Sequence, residues 1–379
     1  MNFVQRMYDF VIIGGGLSGL TAALVLGKAG AKVVLLEKNA YPFHRVCGEY
    51  VSNEVLPLLS SLGIYPLKWG AVPISRLQVT SPKGTSLTLP LESGGFGVSR
   101  YLLDAQMAAM AAANGVEVIE RCTVERITSA AISGFEAVSS KGQRWTARWA
   151  IAAHGKRSNL DKQLNRKFFA QRSPFVGVKY HVKIAHNQDL IALHNFEGGY
   201  CGISRIEADR CCLCYLVTRQ QLKNHGSVAQ LEAKILHKNP FLRAIFLQAE
   251  KLYDAPKVIN EISFAAKTTV ENGIFMCGDA AGMIAPLCGN GMAMAIHGGA
   301  LLANLLLQCE AGKISREELY LQYFQTWQRL FATRLWVGRQ IQHFFGSSLL
   351  SEALVASLRK LPSLAQWLIK QTHGKPIDY

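Results

Sequence analysis

Gly14, Gly16 and Gly19 stand in the order G-x-G-x-x-G, and residues of that type and spacing can hold a phosphate. The apolar run Tyr8-Asp9-Phe10-Val11-Ile12-Ile13 precedes them, and Leu20-Thr21-Ala22-Ala23-Leu24-Val25-Leu26 follows. The first run predicts a strand of a parallel sheet covered on both faces, and the second a helix. A further strand, Lys32 to Leu36, closes on Glu37, which lies 23 positions after Gly14. Gly14 permits the tight turn, Gly16 lets the main chain approach a pyrophosphate, and Gly19 lets the helix pack closely on the sheet. The free N–H groups and the dipole at the helix start receive phosphate charge. Glu37 is placed to accept the ribose hydroxyls of an adenosine. Together these residues predict a module for an adenine dinucleotide.

A second glycine-rich stretch lies far along the chain. Gly273-Ile274-Phe275-Met276-Cys277-Gly278-Asp279-Ala280-Ala281-Gly282 reads as a short strand ending in Gly-Asp. Pro286, Gly289-Asn290-Gly291 and a long apolar helix from Met292 follow. Alone, this is a strand, a turn and a helix with a capping acid. Paired with the N-terminal module, it resembles the FAD-binding signature of one flavoprotein superfamily. Aromatic-ring hydroxylases, geranylgeranyl reductases and flavin-dependent halogenases belong to it.

The resemblance implies FAD as cofactor, with Asp279 on the ribityl chain. It implies that the helix start at Gly289 and Gly291 faces the pyrimidine end of the isoalloxazine, where a helix dipole stabilises the negative charge of the reduced ring. Arg100, with Asp104 at the head of a helix from Ser99 to Asn114, resembles the arginine that lies against the cofactor in hydroxylases. Arg45-Val46-Cys47-Gly48-Glu49 resembles the loop after the second strand, where reductases carry Cys-Gly and halogenases Gly-Glu. Arg45 is then a cofactor contact, and Cys47 a group that touches the flavin face or donates a proton. Tyr200, in Gly198-Gly199-Tyr200-Cys201-Gly202, is similar to the family's substrate-domain motif and would orient substrate. His154 stands where hydroxylases carry an acid, which is a departure. The resemblance spans roughly residues 8 to 310.

These residues need a scaffold, and the resemblance implies an α/β fold. A Rossmann-like FAD-binding domain would be assembled from residues 1–75, 99–160 and 255–310. A mainly antiparallel substrate domain, 76–98 and 161–254, is inserted into it, and a helical region, 311–379, completes the chain. Residues 76 to 90 read as a hairpin turned by Pro82-Lys83-Gly84. The run Gly291 to Leu307 carries His297 and Asn304 and reads as a buried helix rather than a membrane span. The tail mixes aromatic and basic residues, as in Trp327, Trp336, Leu358-Arg359-Lys360-Leu361 and Trp367-Leu368-Ile369-Lys370. A helical lid is the expected reading, with contact to an anionic membrane surface as the other.

Composition limits the function classes. A chain of 379 residues with 49% hydrophobic and 18% charged residues has a large core and is not disordered. Its net charge of +15 suits anionic cofactors, anionic substrates, a membrane surface or nucleic acid, and does not choose among them. The basic stretch from His154 to Arg172 reads as a solvated face, with the phosphate of NADPH or an acidic carrier protein as other occupants. No aromatic-interleaved basic patch is present, so nucleic acid is not an expected partner, and a flavoprotein acting on RNA is a weaker alternative. Nine cysteines without a paired C-x-x-C, and His181, His186 and His194 without ligand spacing, predict no metal. Free thiols and a strand that begins at Tyr8 point to the cytoplasm, at most peripheral to the inner face of the membrane.

No second G-x-G-x-x-G occurs, so NAD(P)H would visit as a transient reductant. No C-x-x-x-x-C follows the first helix either, which disfavours thiol–disulfide chemistry. Two reactions fit the resemblance. The favoured one is a monooxygenase that hydroxylates or epoxidises a small apolar or aromatic metabolite with NAD(P)H and oxygen, in a pocket dry enough to protect the activated oxygen. The alternative is hydride delivery to a C=C bond, as in geranylgeranyl reductases. Their aromatic-x-Trp-x-Phe-Pro motif appears only as Tyr200-Cys201-Gly202-Ile203-Ser204-Arg205, and the halogenase Trp-x-Trp-x-Ile-Pro signature is absent. Halogenation is therefore the weaker reading.

Overall fold

The computed structural model describes residues 7–130, 134–171, 173–344 and 346–377. The strand Met7–Ile13 is buried on both faces at its apolar end, as an interior parallel strand must be. It pairs in parallel with Val33–Leu36 on one side, Ile13 beside Leu36, and with Arg144–Ala152 on the other, Ile13 beside Ala152. Glu117–Ile119 continues the sheet beyond Val33–Leu36, and Ile274–Met276 lies parallel to Arg144–Ala152. These five strands therefore open their carboxyl ends at one edge, where ligands of such sheets collect.

The helix Leu17–Lys28 is apolar nearly all round because it is sandwiched between this sheet and the helix Gly291–Glu310. A Cβ on Gly299 would collide with the Ser18 carbonyl, so the two helices cross in backbone contact. Gly291–Glu310 is long and apolar enough to cross a membrane, yet most of it is buried in the protein core.

A second, nine-stranded sheet is mostly antiparallel. Phe175–Lys183, Arg210–Thr218, Gly199–Ile206 and Leu190–Phe196 run in that spatial order, and Leu190–Phe196 pairs in parallel with Val72–Thr80. Val72–Thr80 and Ser86–Gly97 form a hairpin with Thr80 opposite Ser86, and Gly84 in its turn has φ +94°. Tyr50–Ser52 pairs with the end of that hairpin and brings the preceding loop, 45–49, under the second sheet.

Three helices follow: Arg316–Phe344, Ser348–Lys360 and Pro362–Thr372. The first buries Leu319, Tyr323, Trp327, Phe331 and Leu335, a stripe with the four-residue spacing of one helix face. Tyr323 anchors it by donating to the Met276 carbonyl at 2.7 Å. Pro362 starts the last helix, since a residue without an N–H is tolerated in the first turn.

Candidate active site

The glycine turn shows why each glycine is needed. Gly14 has φ +105°, and a Cβ there would strike the Ala153 carbonyl. A Cβ on Gly19 would strike the Gly14 carbonyl, so this residue sets how closely the helix meets the strand. Gly16 is the N-cap of Leu17–Lys28, and among the described residues no side chain caps this end and no acid stands in the first turn. Its N–H groups are left for an external acceptor. The nearest atom to a Cβ on Gly16 would be Arg100 Nη2, at 3.7 Å.

Around this turn lies a layer of paired charges. Glu37 is buried and accepts from the Gly15 N–H at 2.8 Å, the Asn39 N–H at 3.0 Å and Arg45 Nη2 at 3.2 Å. Tyr41 donates to the Gly15 carbonyl at 2.5 Å. Asp104 takes two bonds from Arg100, at 2.6 and 2.7 Å, and one from Arg45 Nε at 2.9 Å. The forked Arg100–Asp104 pair fixes the guanidinium plane.

The distant glycine-rich stretch folds onto the same place. Ser18 Oγ donates to Cys277 Sγ at 2.6 Å, and a Cβ on Gly278 would lie 2.9 Å from Ser18 Cβ. Asp279 follows in a single helical turn, its carboxyl pushed up by burial and partly restrained by Lys267, Arg100, Lys156 and Arg45. Arg100, Arg45 and Asp279 thus share one cleft. Gly289 has φ +66° and faces Tyr50, whose ring would lie 3.0 Å from a Cβ there. Gly291 opens the helix Gly291–Glu310, again with no capping side chain and no first-turn acid among the described residues. Asp279 and Gly291 line one narrow cavity closed by Trp327 and Phe331.

This arrangement fits FAD. Two uncapped helix starts converge on one cleft, with an acid beside each of the two glycine-rich segments, Glu37 buried and Asp279 half-buried, and two guanidiniums between them.

Beside the cleft is a buried ionic cluster that the sequence reading only touched. Glu49, fully buried and in the left-handed backbone region at φ +55°, accepts from the Arg100 N–H at 2.8 Å, from His181 Nε2 at 2.6 Å and from Lys179 Nζ. Burial would raise the Glu49 carboxyl, but Lys179 and His181 hold it down at about 2. Burial likewise opposes the charge on Lys179, and Glu49 outweighs it, lifting the amine above its ordinary range. Cys212 Sγ donates to the Cys47 carbonyl at 3.3 Å. Donor atoms of Glu49, His181 and Cys212 lie within 4.8 Å of one another, close enough for a metal ion. However, the Lys179 ammonium already stands on the carboxylate, and burial holds the Cys212 thiol protonated. His44 lies outside this cluster, its ring 5.2 Å from that of His181 and bonded to Tyr253 Oη at 3.0 Å. Burial, with His181 and Lys179, lowers it to about 4.

Only a partial signal for the cluster was present, in the strand Phe175–Lys183. Lys179 and His181, at i and i+2, are polar residues on one face that is buried, whereas Lys183 at its end is exposed.

Cys47 and Tyr200 converge on a neutral wall. Burial raises the Cys47 thiol, with Arg100 opposing. It raises Cys214 and Cys288 to about 12, and lifts the Tyr200 hydroxyl well above its usual range, with those cysteines adding to the effect. Cys47 is therefore expected to react with iodoacetamide at neutral pH more slowly than a free thiol, because the thiolate is the nucleophile. Peptide mass spectrometry at timed intervals checks this, and a rate equal to that of free cysteine would overturn it.

The basic stretch from His154 is described as far as residue 171, Arg172 lying outside the described residues, and it is not simply a solvated face. His154 Nε2 bonds Asp161 at 3.1 Å, and Arg166 is buried on the same carboxylate at 2.8 Å. Lys267 donates to the Asp279 and Lys156 carbonyls, both at 2.7 Å. Burial lowers both Lys156 and Lys267 to about 8, against the pull of Asp279. Part of this positive charge thus faces the cleft.

Residues 7–334 match the family described as FAD binding domain. The chain is 25% identical over 342 residues to a digeranylgeranylglycerophospholipid reductase of Methanoculleus marisnigri, covering 86% of this chain and 83% of the relative. It is 25% identical over 330 residues to squalene epoxidase erg1 of Aspergillus fumigatus, covering 79% and 66%. Among solved structures, the flavin-dependent brominase Bmp2 superposes with a TM-score of 0.80 at 19% identity, covering 98% of this chain and 95% of that one. That likeness is one of fold.

Proposed function

The chain belongs to the FAD-binding-domain family of oxidoreductases, and from that premise we propose that it is a monooxygenase. It hydroxylates or epoxidises a small apolar or aromatic substrate. NAD(P)H visits as reductant and molecular oxygen is consumed, one oxygen atom entering the product and the other leaving as water.

The N–H groups at Gly16 and the guanidiniums of Arg45 and Arg100 would hold the pyrophosphate, and Glu37 would take the adenosine ribose. Asp279 would take the ribityl chain, and the helix start at Gly291 would supply its dipole to the flavin ring. When bound, FAD supplies two-electron redox chemistry and oxygen activation. The antiparallel sheet and the loop 45–49 supply the substrate side, with Tyr200 and Cys47 on its wall.

The observation that carries the proposal is the neutrality of that wall. Cys47, Cys212, Cys214, Cys288 and Tyr200 are all pushed toward their protonated forms, chiefly by burial. Such a wall offers no thiolate to be oxidised, and it keeps Cys212, Cys288 and Tyr200 away from water while Cys47 and Cys214 stay half-buried at its edge. A C=C reductase instead needs an acid, from the protein or from solvent, opposite the hydride, and a thiol that burial raises is the poorer donor. The charges nearby, Glu49 and Lys179, neutralise each other.

The test follows NADH and NADPH oxidation by the purified yellow protein, in air and anaerobically, with alkylphenols and trisubstituted alkenes as probe substrates. Expected are oxygen-dependent turnover, peroxide release without substrate, and an anaerobic reaction that stops after one equivalent. Sustained anaerobic turnover with an alkene would establish the reductase instead, and a product formed only with added bromide would establish the halogenase.

A further inference from the structure

We propose that the helices Ser348–Lys360 and Pro362–Thr372 form a docking face for an anionic lipid bilayer. The proposal rests on the surface of these helices and not on the reaction.

Their inner sides are accounted for. Val355 and Ala365 are buried and, with Leu358 and Ile369, pack on Leu87, Leu89 and Val79 of the hairpin Val72–Thr80 and Ser86–Gly97. That contact uses one stripe of each helix. A helix lying on a sheet ordinarily turns polar residues outward. Here Leu349 is 80% exposed, Leu361 54% and Trp367 55%, and Leu350 and Leu364 are also exposed. Leu364 and Trp367, three residues apart, share one side of the last helix, and Leu361 stands just before it at the junction. Long apolar side chains grouped in this way are costly in water and mark an interaction surface.

The charge around them selects the occupant. Residues 346–377 carry four basic residues, Arg359, Lys360, Lys370 and Lys375, and one acid, Glu352; Lys370 pairs with Glu92 of the hairpin at 3.4 Å, which leaves Arg359, Lys360 and Lys375 as the cations of the face. Glu352 is turned onto the hairpin, where it accepts from Thr85 Oγ1 at 2.5 Å and the Lys83 N–H at 3.3 Å. Arg359 and Lys360 are exposed at the junction of the two helices, next to Leu361. A second copy of the same face would bring these cations onto each other. A lipid surface with anionic headgroups neutralises them, while tryptophan and leucine enter the headgroup–acyl boundary.

The face is also tied to the cleft. Thr372, at the far end of the last helix, accepts from Asn290 Nδ2 at 2.6 Å, and the His373 ring lies 6.4 Å from that of Tyr50, which packs on Gly289. A bilayer beneath this 11-residue helix would lie about 16 Å along it from the cofactor cleft.

The experiment is co-sedimentation of the full-length flavoprotein with vesicles of phosphatidylcholine alone, or with about a third phosphatidylglycerol. Wild type is expected to pellet with the anionic vesicles only, less so as salt rises, and to show a blue shift of tryptophan emission. Leu364→Ser/Trp367→Ser and Arg359→Glu/Lys360→Glu should each weaken binding by at least about tenfold, with an unchanged flavin spectrum and melting temperature. The inference is overturned if wild type stays in the supernatant, if both variants pellet as wild type does, or if sedimentation velocity shows a dimer that Trp367→Ser breaks apart. None of these outcomes bears on the oxygen dependence of turnover.

Discussion

Gly16→Val is expected to yield a folded, colourless protein. Gly16 has φ −84° and ψ 179°, a conformation open to any residue, so the backbone is not strained by a side chain there. Nothing meets its Cβ closer than Arg100 Nη2 at 3.7 Å, so the fold has room for the new methyl groups. They would occupy the space before the uncapped N–H groups of Leu17–Lys28, where a phosphate must come. Gly14 offers no such separation, because φ +105° and the Ala153 carbonyl forbid any side chain. FAD affinity should fall by at least about 100-fold, which is about 2.7 kcal/mol. Titration of flavin fluorescence against apoprotein measures it, and a melt of the two apoproteins controls for folding. Unchanged affinity would mean that the phosphate lies elsewhere.

The sequence revealed most where the relevant chemistry is local. Gly14, Gly16, Gly19 and Glu37 sit within one strand–helix–strand unit, so their spacing already implies their positions. The helical character of the tail was similarly legible, although the buried stripe from Leu319 to Leu335 did not stand out. The cluster on Glu49 was not, because it is assembled by pairing: His181 lies opposite Cys212 and Lys179 opposite Cys214 in the antiparallel sheet, and the loop 45–49 comes from far earlier in the chain. Net charge misled along His154 to Arg172, since a count cannot show that Arg166 turns inward onto Asp161. Nor does residue type distinguish Trp327, buried in the core, from Trp367, exposed on the last helix. Both are tryptophans on amphipathic helices, and only tertiary packing separates them.

The second large effect is expected from Glu49→Gln. Lys179 is fully buried, and its ammonium is tolerated because Glu49 faces it. Glutamine keeps the shape and can still accept from the Arg100 N–H, but it leaves the ammonium uncompensated. Breaking a buried pair from one side costs about 3–5 kcal/mol. The pH dependence distinguishes charge from packing. The Glu49 carboxyl, about 2 in the folded chain, lies below its ordinary value of 4.5, so its contribution is complete above about 4.5 and is lost as pH falls toward 2. Lys179 is raised, so its contribution is complete below its ordinary value and is lost only in strong alkali. In the variant Lys179 has lost its counter-charge and sheds its proton more readily, which relieves the penalty as pH rises. The stability gap between wild type and variant should therefore be widest near neutrality and close on both sides. Urea melts across pH measure this gap. Glu49→Gln/Lys179→Met, which removes both charges, should recover most of the loss, because no uncompensated buried charge is left and the amide keeps its bond from the Arg100 N–H. A gap that stays constant with pH, and that the double variant does not repair, would show that Glu49 is held by its hydrogen bonds and not by charge.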